Sequence, residues 1–190
     1  MTIFEVGVGT FIECRTKEYI NTNVQCYLFE PNPYCFQNLQ AHLDRYSNFH
    51  LFNIALGSEQ KLCNLFLANS SSFVEGISSP EKSKESNSEN ILQKVSIQME
   101  PIIKHDNNQI DVLLLDVEGG EFDIISNLTS RPKQICVEMY SFGVKYKNPH
   151  FNKIMKWMHE NHYELELVDN PWNKTNQPIG EDFLFALGEQ

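Results

Sequence analysis

Ile110-Asp111-Val112-Leu113-Leu114-Leu115-Asp116-Val117-Glu118-Gly119-Gly120-Glu121 carries an apolar run straight into three carboxylates and two glycines. A short apolar run without polar alternation predicts a strand over 112–115 buried on both faces, as in a parallel sheet flanked by helices. Ligands of such sheets bind beyond the carboxyl ends of the strands, so Asp116 and Glu118 stand where a site is built. Acids crowded at a buried strand end repel one another and lose solvation, and Asp116 therefore calls most strongly for a functional explanation. Glu121 has a simpler one, because an acid in a first helical turn complements the helix dipole.

Outward from this stretch, apolar runs alternate with helical patterns, which predicts βαβ units. Strands are expected at 3–8, 25–30 and 49–56, with a helix over about 11–21 between the first two. Pro33 opens a second helix, whose Phe36, Leu39 and Leu43 recur at helical spacing. Further strands are expected at 62–68 and 94–98, separated by a polar loop at about 69–93. A helix over 121–128, a strand at 134–139 and a helix over 151–161 follow. The closing runs at 163–168 and 183–187 are too close for a parallel crossover. They should pair antiparallel, or the last should insert beside its predecessor in an otherwise parallel sheet.

A chain of 190 residues, 41% hydrophobic, is expected to form a single domain over 1–190. Its formal net charge of −10 argues against a nucleic-acid partner, which needs clustered Lys and Arg. No apolar stretch nears the roughly 18 residues of a membrane span, and no basic, then apolar, leader is visible. Five scattered cysteines without a C-x-x-C pair suit reduced thiols in the cytoplasm better than disulfides or zinc. No metal is required by any ligand spacing.

Candidate ligand-binding groups sit at the ends of the expected strands. Glu5-Val6-Gly7-Val8-Gly9-Thr10 is a turn whose glycines allow close backbone approach, next to exposed amides. Glycine is absent at 11 and 12, where Phe11 and Ile12 stand, so neither common dinucleotide glycine pattern is complete. Glu30 ends the second strand and can accept both hydroxyl protons of a ribose, in NAD and S-adenosylmethionine alike. Pro31-Asn32-Pro33 after it is a rigid turn. Asn53, Ile54 and Ala55 end the third strand and offer an apolar side chain and amides to an adenine. Glu138, at the end of the strand after Asp116, either orients an acceptor hydroxyl or holds a neighbouring amide.

In this order and at these spacings the residues resemble the FkbM-type S-adenosylmethionine-dependent O-methyltransferases. The family's glycine motif is matched by Glu5-Val6-Gly7-Val8-Gly9-Thr10-Phe11, with Glu5 for aspartate and Phe11 for the last glycine. F-E-P-N-P stands unchanged at Phe29 to Pro33, and N-x-A-L at Asn53 to Leu56. Ser70-Ser71-Ser72 resembles its serine cluster, Leu115 to Glu121 its I-D-V-E-G-x-E motif, and Glu181 to Phe185 its closing strand. The resemblance implies an α/β class I methyltransferase (Rossmann-like) fold, a mostly parallel sheet with an antiparallel last strand. It implies Glu30 on the ribose hydroxyls, Gly7 and Gly9 along the methionine moiety, Glu5 toward its ammonium, Ile54 by the adenine, and Asp116 by the sulfonium.

Methyl transfer to a small-molecule or sugar hydroxyl is then the expected activity. It is an in-line displacement that depends above all on positioning. Asp116 is the expected general base and Glu118 its partner; a divalent ion on both is a second route to an acidified hydroxyl. The rivals are a nicotinamide oxidoreductase of Rossmann type and a binding module that kept the fold without turnover. Acceptor selection is expected from 69–93 and from 140–180.

Overall fold

The computed structural model describes residues 1–68, 72–77, 91–141, 146–168 and 181–188. In chain order its elements are β1 (Thr2–Val6), β2 (Gln25–Phe29), α1 (Pro33–Leu43), β3 (Phe49–Phe52), β4 (Ala55–Gly57), β5 (Lys61–Ala68), β6 (Phe73–Val74), β7 (Ile91–Pro101), β8 (Val112–Leu115), α2 (Glu121–Ile125), β9 (Gln134–Ser141), β10 (Tyr146–Lys147), α3 (Phe151–Glu160), β11 (Tyr163–Val168) and β12 (Glu181–Leu187). The main sheet runs β11-β12-β9-β8-β1-β2-β3, with β10 added on β9. From β9 to β3 the neighbours are parallel, whereas β12 is antiparallel to both β9 and β11. The last strand thus inserts beside its predecessor, one of the two closing arrangements the short connection predicts.

Both faces of the central strands are covered, which is why 112–115 shows no alternation. Phe4, Val6, Phe29, Leu113, Leu115, Ile135 and Val137 face a core shared with Ile124 and Ile125 of α2 and Ile154 and Met158 of α3. On the opposite face, Cys26 and Leu28 meet Leu39 and Leu43 of α1, and Ile3 meets Leu114 and Cys136. Pro33 occupies the first turn of α1, and the Asn32 side chain caps it by accepting from the Tyr34 amide at 3.0 Å.

Four expectations need correction. The helix over 11–21 reduces to a turn at 10–14 and a 3-10 helix, Arg15–Tyr19. Between them Cys14 is extended (φ −51°, ψ 114°), because the buried Glu5 carboxylate claims the amides of Arg15 and Thr16. The strand over 49–56 is broken at Asn53, whose side chain donates to the carbonyls of Glu30 and Pro31 at 2.8 and 3.3 Å. Beyond that break β4 leaves for a second sheet, β4-β7-β5-β6.

The third concerns the polar loop at about 69–93. Phe73–Val74 pairs with β5, and 91–93 belong to β7, a strand of 11 residues rather than the short one expected at 94–98. Helix 121–128 is likewise shorter, ending at Ile125. Ser70, Ser71, the remainder of the loop at 78–90, and the Pro171, Pro178 and Gly180 segment lie outside the described residues.

Candidate functional site

Gly7, Glu30 and Asp116 directly follow β1, β2 and β8, and Glu138 lies level with Asp116 inside the longer β9; the four strands are adjacent. The chain order reverses between β1 and β8, since β2 and β3 lie on one side and β8 and β9 on the other. Open α/β sheets bind ligands at such a switch point. Gly7 has φ +78°, and a Cβ there would lie 1.7 Å from the Asp116 carbonyl oxygen. Glycine at 7 therefore lets the first turn pass flush against the end of β8.

On the β1–β2 side the acids are held by backbone. Glu30 is buried, and its two carboxylate oxygens accept from the amides of Gly9 and Asn32, each at 2.7 Å. Burial pushes its carboxyl up to about 7 despite those amides, with the nearby Asp116 charge adding to the rise. Each oxygen retains a lone pair, so two ribose hydroxyls still have acceptors. Asn32 also donates to the Ser72 hydroxyl at 3.1 Å, which ties the second sheet to this turn. Ile54 packs on the main core, and Ala55 is buried in β4.

Two of the expected cofactor residues, Glu5 and Thr10, and the neighbouring Phe11 have specific internal partners. Glu5 points into the β1–3-10 junction. It accepts from the amides of Arg15 and Thr16 at 2.7 and 3.0 Å and from the Thr16 hydroxyl at 2.7 Å, and burial raises its carboxyl. Thr10 gives its amide and hydroxyl to Glu13 at 2.7 and 2.8 Å. Phe11, the departure from glycine, turns outward: its amide donates to Asn38, and its ring stacks on His42 at 4.5 Å. It packs on α1 and leaves the glycine turn uncrowded.

On the β8–β9 side the acids face one another. Oxygens of Asp116, Glu118 and Glu138 lie within 4.8 Å of one another. Glu138 is raised well above the ordinary carboxylate range by burial, by the Asp116 charge and by a hydrogen bond to that carboxyl. A divalent ion could bridge such a group, but close acids are common without one, and a guanidinium already faces Asp116. Arg15 Nη2 lies 3.6 Å from Asp116 Oδ2 and 3.3 Å from Asp182 Oδ2. Burial opposes its charge, and Asp182 and Asp116 more than restore it, raising its pKa above the ordinary arginine value.

The loop carrying these acids is fixed by Glu121. That carboxylate is buried and accepts from the amides of Val117 at 3.2 Å and Gly119 at 3.1 Å, and from Asn148 Nδ2 at 2.6 Å. Burial raises it to about 7. It holds Glu118 in the left-handed region (φ +59°), which costs a non-glycine residue about 1–2 kcal/mol. Asn148 extends the tie to the segment between β10 and α3. Sequence reasoning gave Arg15, Asp182 and Asn148 no role, and no spacing marks them; they meet Asp116 and Glu121 only through the fold.

The Methyltransferase FkbM domain family matches residues 7–165. The chain belongs to the FkbM methyltransferase family. No curated protein matches it in sequence. An FkbM methyltransferase from Methylobacillus flagellatus KT superposes with a TM-score of 0.63 at 12% identity, over 97% of this chain and 43% of that one. This chain thus spans less than half of that relative. Fibrillarin from Aeropyrum pernix, solved with bound S-adenosyl-L-methionine, gives 0.54 at 11% identity, over 97% of this chain and 66% of that one. A precorrin-6y C5,15-methyltransferase from Geobacter metallireducens GS-15 gives 0.52 at 10%, over 99% and 80%. The FkbM chain therefore has the class I methyltransferase fold. Among the described residues no helix is long and apolar enough to cross a membrane.

Proposed function

We propose that this FkbM-family chain is an S-adenosylmethionine-dependent methyltransferase acting on a hydroxyl of a small molecule or sugar. The observation that carries the reading is the placement of Glu30 and Asp116 on either side of the Gly7–Gly9 turn, at the switch point of the sheet. The bound cofactor supplies a methyl group on a positively charged sulfur, a leaving group that needs no acid. Glu30 receives the ribose hydroxyls through its remaining lone pairs, Ile54 borders the adenine, and the turn at Gly7 and Gly9 follows the methionine moiety. Asp116 is partly exposed and borders the reacting methyl. As the acceptor oxygen forms its bond to carbon and the carbon–sulfur bond breaks toward sulfur, Asp116 takes the hydroxyl proton. Glu118, held beside it by the Glu121 loop, orients the acceptor.

Calorimetry with S-adenosylmethionine and with NAD is the first test, and heat from the former alone is expected. Transfer of labelled methyl to a panel of polyols and glycosides is the second. A chain that binds no S-adenosylmethionine ends the reading. Binding without transfer to any acceptor would leave a module that kept the pocket and lost turnover.

A further inference from the structure

We propose that Arg15 is a positioning residue for the methyl-transfer site: pinned by Asp182, its guanidinium fixes the direction of the Asp116 carboxylate against the pull of Glu138. The inference rests on the cofactor reading above. Asp116 has two competing neighbours. Arg15 approaches its Oδ2 at 3.6 Å, and Glu138 shares a hydrogen bond with its carboxyl. The guanidinium does not swing freely, because Asp182 Oδ2 lies 3.3 Å from the same nitrogen and Cys136 Sγ 3.8 Å from the other. Its backbone is fixed as well, with the Arg15 amide on Glu5 at 2.7 Å.

Each strand of the site contributes to this arrangement. Glu5 of β1 anchors the segment that carries Arg15, while Asp116 follows β8. Glu138 of β9 stands in register with Asp182 of β12. A planar fork with donors on several edges can serve two carboxylates at once, which a single ammonium cannot do equally well. Without the guanidinium, the Asp116–Glu138 hydrogen bond is unopposed. The Asp116 carboxylate then settles on Glu138, and its charge and lone pairs turn away from the cofactor.

S-Adenosylmethionine and S-adenosylhomocysteine differ by one methyl group and one positive charge, so the ratio of their affinities reads the field at the sulfur. Arg15→Gln should reduce the preference for the sulfonium by about tenfold, measured by calorimetry on the whole chain with EDTA present. Adding Glu138→Ala removes the competing side chain and should return the ratio to within about threefold of native. Arg15→Lys, which serves if the glutamine variant does not fold, should give a partial loss that Glu138→Ala again repairs. Equal weakening of both ligands would place Arg15 at a part they share, or in the fold alone, and overturn the proposal. So would a ratio that rises, since bare charge rather than the direction of Asp116 would then dominate. Native protein that binds neither ligand overturns the cofactor reading and this inference with it; native binding with an unaltered ratio in the variants overturns this inference alone.

Discussion

Glu30 and Glu138 are acids on parallel strands of one sheet, the first buried and the second half-buried, and different partners satisfy them. Glu30 is met by two amides of the backbone. Glu138 is met by another carboxyl, with Asp182 and Glu118 close by. Backbone donors cannot leave without unfolding the turn, so the β1–β2 side presents a fixed acceptor, as recognition requires. Side-chain partners can redistribute a proton among themselves, so the β8–β9 side suits a step in which a proton moves.

The sharpest way to break this division is at the joint between the two sides. Gly7→Ala puts a Cβ on the Asp116 carbonyl oxygen and should cost more than about 4 kcal/mol, seen as lost folded protein or a collapsed melting temperature. Gly76→Ala is the control. Its φ of +81° is similar, but nothing lies within 4 Å of the new Cβ, and about 1 kcal/mol is expected.

Substitutions within each side should then separate binding from turnover. Asp116→Ala should lower methyl transfer by about 100-fold or more while shifting S-adenosylmethionine affinity much less. Glu30→Ala should do the reverse, weakening the cofactor by about 100-fold through the loss of two charged contacts. Equal effects of both on affinity would dissolve the distinction.

A gentler test uses acidity. Glu30 and Glu121 both stand at about 7 in the fold, against an ordinary 4.5. Between those values the folded chain keeps protons that the unfolded chain has released. Their contribution to stability is therefore full below about pH 4.5, falls as pH rises toward 7, and is level above. The cofactor-free protein should melt higher at pH 5.5 than at pH 7.5, and Glu121→Gln should flatten that difference. An unchanged slope in the variant would contradict the role of Glu121. The smallest effect belongs to Phe11→Gly. It gives up the stack on His42 and should cost about 1 kcal/mol of stability, with cofactor affinity within about threefold of native.

Much of the strand pattern was readable because burial writes itself into composition. Val112 to Leu115, Gln25 to Phe29 and the closing pair follow from apolar runs, and Pro33 announces α1. Glu30, Asp116 and the glycine turn were visible as strand-end chemistry. The helix expected over 11–21 failed because Glu5, at the buried end of the strand before it, takes the amides of Arg15 and Thr16. The strand at 49–56 failed because Asn53 bonds to another strand's turn. Arg15 and Asp182 are 167 positions apart in the chain, and only sheet order brings them together. Glu121 illustrates the intermediate case: an acid at a helix start was expected, but its hold on Val117, Gly119 and Asn148 depends on how the loop folds back.

The insertion of β12 between β9 and β11 has a consequence for how the molecule is made. On a ribosome, β9 and β11 emerge first and cannot meet, since the strand that joins them is still to come. Until then two sheet edges wait unpaired, a state prone to wrong partners. Asp182 arrives with that same strand, so the counter-charge of Arg15 comes only with the final pairing. Charge balance beside Asp116 thus waits on a strand made after β9 and β11, and a chain without it has the glycine turn and Glu30 before it has a finished centre for chemistry.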